Sequence, residues 1–138
     1  MKAEVTWQAS ESGLAFDGVM DDGKTLHLDG DGKALSPMQA VLISCGACSS
    51  VDVVDIMRKA RQPIDSCVCK LEAIRAEDAP RVFTHIHAHY SVTGSGLKEK
   101  HLARAVQLST EKYCSVMLML GSNDEHAKVK ITSSYSIN

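Results

Sequence analysis

Ser36-Pro-Met-Gln-Ala-Val-Leu-Ile-Ser-Cys-Gly-Ala-Cys-Ser-Ser-Val-Asp-Val-Val-Asp-Ile-Met-Arg-Lys59 is the stretch on which the fold turns. It opens with a complete helix start. Ser36 is the N-cap, Pro37 occupies the first helical position, and Gln39 falls three residues after the cap, where its amide reaches back. Residues 38–57 are apolar nearly all round, which marks a buried helix rather than a surface one. Ala40, Gly46, Ala47, Ser49 and Ser50 are small and admit another backbone at close range. Pro63 sets the far limit, because the residue before a proline avoids the helical region. From 37 to 60 the helix spans about 36 Å at 1.5 Å per residue. That length predicts a central spine and a dimer element.

The segments on either side alternate with period two, as half-buried strands do. In 3–8, Ala3, Val5 and Trp7 oppose Glu4, Thr6 and Gln8. Turns at Glu11-Ser12-Gly13 and Asp21-Asp22-Gly23 bound a strand at 14–20 and another at 24–28. Asp29-Gly-Asp-Gly32 reads as a turn, since it lacks the further ligands of a calcium loop. Beyond Pro63, Cys67, Cys69, Leu71 and Ala73 share one face of a strand at 66–74. In 82–92, Val82, Thr84, Ile86, Ala88, Tyr90 and Val92 share one face and His85, His87 and His89 the other. Leu102, Ala105, Val106 and Ser109 fall at helical spacing within 97–112. A short apolar helix follows at 114–120, stopped by Gly121. A last strand occupies 126–137. The expectation is one α+β domain over 1–138: a three-stranded unit (1–32), a central helix (36–61), and a β-β-α-α-β unit (64–138). Its sheets are largely antiparallel.

Composition narrows the function. The chain has 138 residues, 44% of them hydrophobic and 23% charged, with a net charge of −2. That is enough chain for one self-sufficient core. Near-neutral charge and 4% aromatic residues disfavour nucleic acid as a partner. The first residues lack the apolar run of a signal peptide. Asp52, Asp55 and several serines make 38–57 a poor membrane span. A cytoplasmic location is expected, where five cysteines stay reduced and become candidates for reactive or metal-binding thiols.

Each candidate has a bland reading. Cys48 lies about three turns into the apolar helix. Burial and the Asp52 charge at i+4 both raise a thiol pKa, so as a residue it reads as a small core hydrophobe. Cys114 begins a helix, whose free N–H groups favour a thiolate. Cys45-x-x-Cys48 is too far from its helix N-terminus for thioredoxin chemistry. As a zinc half-site it needs Cys67 and Cys69 to converge on it. His85, His87 and His89 could bind metal, with Cys45 and Cys48 as further donors, or form a solvated row.

Two segments together change this picture. Ser36 to Cys48 resembles the start of the central helix in the OsmC/Ohr family, the osmotically inducible protein C and organic hydroperoxide resistance proteins. The pattern there is Asn-Pro-acidic, then a small apolar run ending Ala-Cys. Glu111-Lys-Tyr-Cys-Ser-Val116 is similar to that family's second motif, Glu-Lys-x-Cys-Pro-Val. Phe83-Thr-His-Ile86 and Val92-Thr-Gly94 resemble its YhfA-like subgroup. The cysteines of the two motifs are 66 positions apart (114 − 48). The resemblance implies an intertwined homodimer in which central helices pack together, and a thiol peroxidase without cofactor or resident metal. Cys48 would attack an organic hydroperoxide and become a sulfenic acid, and Cys114 would condense with it to a disulfide. A dithiol such as a lipoyl group would reduce the pair. Val41, Leu42, Val51 and Met117–Leu120 would give such a site an apolar surround.

The sequence also departs from the family pattern. Met38 stands where active members carry an acidic residue. The first arginine is Arg58, whereas those members draw an arginine from the N-terminal strands to support the thiolate. Ser115 replaces the proline after Cys114. The cysteine pair is thus present without its usual charged shell. An alternative on the same fold is a non-catalytic module that binds an apolar small molecule.

Overall fold

A computed structural model describes residues 1–10 and 13–138. The turn expected at Glu11-Ser12 lies outside the described residues. The elements run β1 (Ala3–Trp7), β2 (Ala15–Met20), β3 (Thr25–Asp29), α1 (Pro37–Lys59), β4 (Ile64–Arg75), β5 (Phe83–Gly94), α2 (Glu99–Leu108), a π-helical turn (Ser109–Tyr113), α3 (Ser115–Leu120) and β6 (Lys130–Ile137). This is the expected α+β class, with two small sheets and one long helix. The chain divides into two compact units, Met1–Leu42 and Ile43–Asn138.

In the first unit, β1, β2 and β3 form an antiparallel sheet in that order. The Asp29-Gly-Asp-Gly turn is an Asx turn, with the Asp31 N–H donating to Asp29 Oδ1 at 2.7 Å. One face of the sheet bears an apolar groove of about 330 Å³, lined among others by Val5, Phe16, Val19 and Leu26. The helix start is as the sequence predicts. The Ser36 N–H donates to Gln39 Oε1 at 2.9 Å, and the Gln39 N–H donates to Ser36 Oγ at 3.2 Å. Two N-terminal donors are thereby satisfied reciprocally.

In the second unit β5 is central, antiparallel to β4 and parallel to β6. The parallel pair follows from the crossover through α2 and α3, which returns the chain to the end where β5 began. The inner face of the sheet pairs Cys69 with Tyr90 and Leu71 with Ala88. Ile86, Ala88, Tyr90 and Val92 are fully buried or nearly so. At the start of β5 the register differs from expectation. A shift between Ile74 and Arg75 buries Phe83 and leaves Val82 exposed. Strand β6 begins at Lys130, later than expected, although Val129 is already buried.

Helix α1 buries one stripe: Cys45, Gly46, Ser49, Val53 and Met57, spaced every three or four residues. Gly46 is required there, because a Cβ would stand 2.6 Å from Leu71 Cδ1 of the sheet. The expectation of a helix buried all round is corrected: Val51 is 68% exposed and Ile43 51%. The sheet covers only one side. The other side bears a groove of about 540 Å³ between Ala47, Ser50, Val51, Val54, Asp55 and Arg58. By length and composition alone this helix is long and apolar enough to cross a membrane, and 28% of its most apolar window is buried. Asp52 and Asp55 therefore do not disqualify it on composition, contrary to the reading above.

Helix α2 buries Leu102, Ala105 and Val106, and Ser109 continues the stripe. The expected single helix over 97–112 is broken at Ser109. There the backbone widens to a π turn, closed by the Cys114 N–H donating to the Ser109 carbonyl at 2.8 Å. Such wide turns carry an extra residue per turn and recur at functional sites.

Candidate functional site

The sequence reading left two thiols to be tested against each other, Cys48 on α1 and Cys114 at the end of the π turn. They are neighbours. The two side chains lie close enough for each to shift the acidity of the other. Ser115 Oγ lies 3.7 Å from Cys48 Sγ. Cys114 is the N-cap of α3 rather than its first helical residue. Its thiol is fully buried, while Cys48 keeps partial exposure.

The environments split the two thiols. Cys48 lies below the ordinary thiol range. The largest cause is the Val116 backbone N–H, which points at its sulfur; burial opposes it, the Cys114 and Ser115 side chains add donors, and the Asp52 charge opposes them. Cys114 is pushed up to about 12, chiefly by burial, with the Cys48 sulfur and Asp52 adding to it. Hydrogen bonds to a charged form favour that form, and desolvation disfavours it. This corrects the sequence reading twice. Free N–H groups at the start of α3 favour a thiolate, as argued, but the one that beneficiates is Cys48. The Asp52 effect has the expected sign yet does not prevail. Backbone amides supply part of what the missing N-terminal arginine leaves out.

The other cysteines are less reactive by position. Cys45 is fully buried and pushed up to about 11 by desolvation, with Cys48 and Cys69 adding repulsion. Cys67 and Cys69 are also raised, chiefly by burial, with the Ser50 hydroxyl opposing the shift at each. A zinc site is not built from them. Among the described residues, no group of three His, Cys, Asp or Glu side chains is placed to hold a metal ion.

The histidine row cannot assist the thiols. His89 stands opposite Lys70, and His87 opposite Glu72, on the outer sheet face, whereas Cys69 and Tyr90 lie on the inner one. His85 meets the Thr84 hydroxyl of its own strand at 3.1 Å, and the other two imidazoles are occupied by hydroxyls of β6. His87 bridges Thr132 and Ser134 at 2.7 and 2.8 Å, and His89 bridges Ser134 and Ser136 at 2.7 and 3.1 Å. A metal centre combining Cys45, Cys48 and this row is excluded by sheet geometry, since alternate residues point to opposite faces.

Sequence reasoning missed the polar frame behind the thiols. The Tyr90 hydroxyl donates to Ser49 Oγ at 2.7 Å, and Ser49 Oγ donates to the Gly46 carbonyl at 3.2 Å. Ser109 Oγ lies 3.0 Å from both the Ser49 carbonyl and Asp52 Oδ2. The available signal was a serine on a buried helical stripe, because a buried hydroxyl must find a partner. The expected apolar surround is dispersed. Val51 lines the α1 groove, while Leu118 lines a separate cleft of about 380 Å³ with Thr110, Glu111 and Thr132.

Comparison with known proteins gives this pair its context. A family described as OsmC-like protein matches residues 30–130. Protein YhfA of Escherichia coli (strain K12) is 48% identical over 99% of this chain and 98% of its own length. A crystal structure of a hypothetical protein from Aquifex aeolicus VF5 superposes with a TM-score of 0.84 at 31% identity, covering 99% of this chain and 95% of that one. An organic hydroperoxide resistance protein OsmC from Legionella pneumophila, described as a predicted redox protein, shares the fold. Its TM-score is 0.66 at 17% identity, over 98% of this chain and 95% of that one. The chain belongs to the OsmC-like protein family.

Proposed function

We propose that the protein is a thiol peroxidase that reduces organic hydroperoxides, with Cys48 as attacking thiolate and Cys114 as resolving thiol. The observation that carries this reading is their proximity: Cys48, partly exposed and lowered, lies 3.7 Å from the hydroxyl of Ser115, the residue after Cys114; Cys114 is buried and raised, and each thiol acts on the other. In the reaction, Cys48 sulfur attacks the outer peroxide oxygen and the O–O bond breaks. The alkoxide leaves with a proton as an alcohol, and Cys48 becomes a sulfenic acid. Cys114 sulfur then forms the S–S bond. The sulfenic hydroxyl departs as water, taking the Cys114 proton, so a resolving thiol with a high pKa needs no separate base. A dithiol reductant such as a lipoyl group returns both cysteines to thiols and leaves as its own disulfide.

Reduced protein mixed with one equivalent of cumene hydroperoxide should lose two thiols and yield a Cys48–Cys114 disulfide by peptide mass spectrometry. Unchanged thiols, or a disulfide between any other pair, would contradict the assignment.

The same reading includes a homodimer working in the cytoplasm, without membrane or nucleic acid. What supports the dimer is the uncovered apolar side of α1, with exposed Val51 among the residues lining its groove. Exposed apolar grooves of this kind mark interaction surfaces. The protein should sediment as a pair of 14.9 kDa chains, and Val51→Lys should shift it toward single chains. Sedimentation of the parent as a monomer at micromolar concentration would rule the pairing out.

A further inference from the structure

Buried Ser109 is tied to the helix of Cys48 through its hydroxyl and to the backbone of Cys114 through its carbonyl. We propose that Ser109 is a positioning residue that couples Asp52 to the cysteine pair, setting both the charge felt by Cys48 and the reach of Cys114. The proposal rests on the peroxidase reading for its second half only.

The geometry runs through three short contacts. Asp52 follows Cys48 by one helical turn and so lies on the same face of α1. Ser109 Oγ is 3.0 Å from Asp52 Oδ2 and 3.0 Å from the Ser49 carbonyl. Its single proton is shared between the Ser49 carbonyl and Asp52 Oδ2, the carboxylate whose charge acts on the Cys48 sulfur. The Ser109 carbonyl accepts the Cys114 N–H at 2.8 Å, the bond that closes the π turn. Anchoring this turn to α1 through the hydroxyl holds Cys114 against Cys48. Ser109 is fully buried, so water does not replace the hydroxyl.

Among the described residues, the titratable groups that act on Cys48 are few. From α1 they are Asp52 and Cys45, and from the corner before α3 there is Cys114, beside the uncharged Ser115 and the Val116 amide. Of these, Asp52 is the carboxylate, and its charge raises the Cys48 thiol. Removing its donor exposes the thiolate to the full carboxylate charge, while neutralising it removes the repulsion.

The test is a pair of variants and their combination, read by the rate of Cys48 alkylation with iodoacetamide against pH. Asp52→Asn keeps the side-chain shape and should speed alkylation at pH 7 by about threefold or more. Ser109→Ala should slow it by about threefold. In the Asp52→Asn background, Ser109→Ala should leave the pH profile where Asp52→Asn put it, because the charge that Ser109 manages is gone. A second readout follows Cys48 under excess cumene hydroperoxide. Ser109→Ala should convert about fivefold more of it to sulfinic acid, because Cys114 arrives late.

Equal slowing by Ser109→Ala with and without Asp52 would show a merely structural role and overturn the coupling. So would an unmoved profile in Asp52→Asn, which decides the matter even if Ser109→Ala fails to fold. The alkylation arm needs no peroxide. Failure of the wild-type protein to form its disulfide therefore sinks the peroxidase reading, while the alkylation profiles still judge the coupling.

Discussion

Cys48→Ser should fold as the parent does and consume no organic hydroperoxide above the uncatalysed background. The substitution is nearly isosteric at a partly exposed position, so its cost in stability is small. Its chemical cost is complete. The Val116 amide that favours a thiolate has no such effect on a hydroxyl, whose proton is held far more tightly, and no sulfenic acid can form. Cys114→Ser should behave differently. It keeps the attacking thiol, so about one equivalent of peroxide should disappear as Cys48 becomes sulfenic acid, and a second only where that is oxidised on to sulfinic acid. Peroxide consumption and the mass added to Cys48 separate the two variants. Sustained turnover by Cys48→Ser would remove this residue from the reaction.

The second large effect is on stability. Gly121 ends α3, its N–H donating to the Met117 carbonyl at 2.9 Å. It also lies against the strand approach: a Cβ at this position would stand 1.9 Å from the Val129 carbonyl oxygen. That neighbour is backbone and cannot swing aside. Val129 is buried and precedes β6, so relief requires moving either the helix end or the strand. Gly121→Ala should therefore destabilise by about 3 kcal/mol or more, a cost in the range of severe overpacking. Calorimetry should show a fall in Tm of about 10 °C. Because α3 also carries the Val116 amide, the variant should lose part of its Cys48 reactivity below the melting range. A Tm within a degree or two of the parent would mean that the chain end yields easily here.

How far the sequence foretells these features depends on the range of the interaction. The capping box at Ser36 and Gln39 is local, and it forms as read. The alternation of Ile86, Ala88 and Tyr90 against His85, His87 and His89 is set by strand geometry, and both faces follow it. The π turn is not local. Nothing in 97–112 breaks the helical spacing; the break comes from Ser109 reaching Ser49 and Asp52 across to α1. The same distance hides the site. Read within its own helix, Cys48 is an apolar-flanked thiol beside Asp52 and should be inert. The Val116 amide and the Cys114 thiol, both more than sixty residues further on, reverse that balance. Only the family resemblance linked the two motifs. It did so through positions whose charged partners, the acidic residue and the arginine, are absent here.

The central claim is that Cys48 is more acidic than an ordinary cysteine, whereas the thiols around it are less acidic. The most direct test is a difference titration of ultraviolet thiolate absorbance between the parent and Cys48→Ser in the reduced state. A midpoint below the ordinary cysteine value, moved upward by Cys114→Ala through loss of its side-chain donor, is the predicted result. A midpoint at or above the ordinary value would contradict it, since the amide at the start of α3 would then be doing nothing for the sulfur.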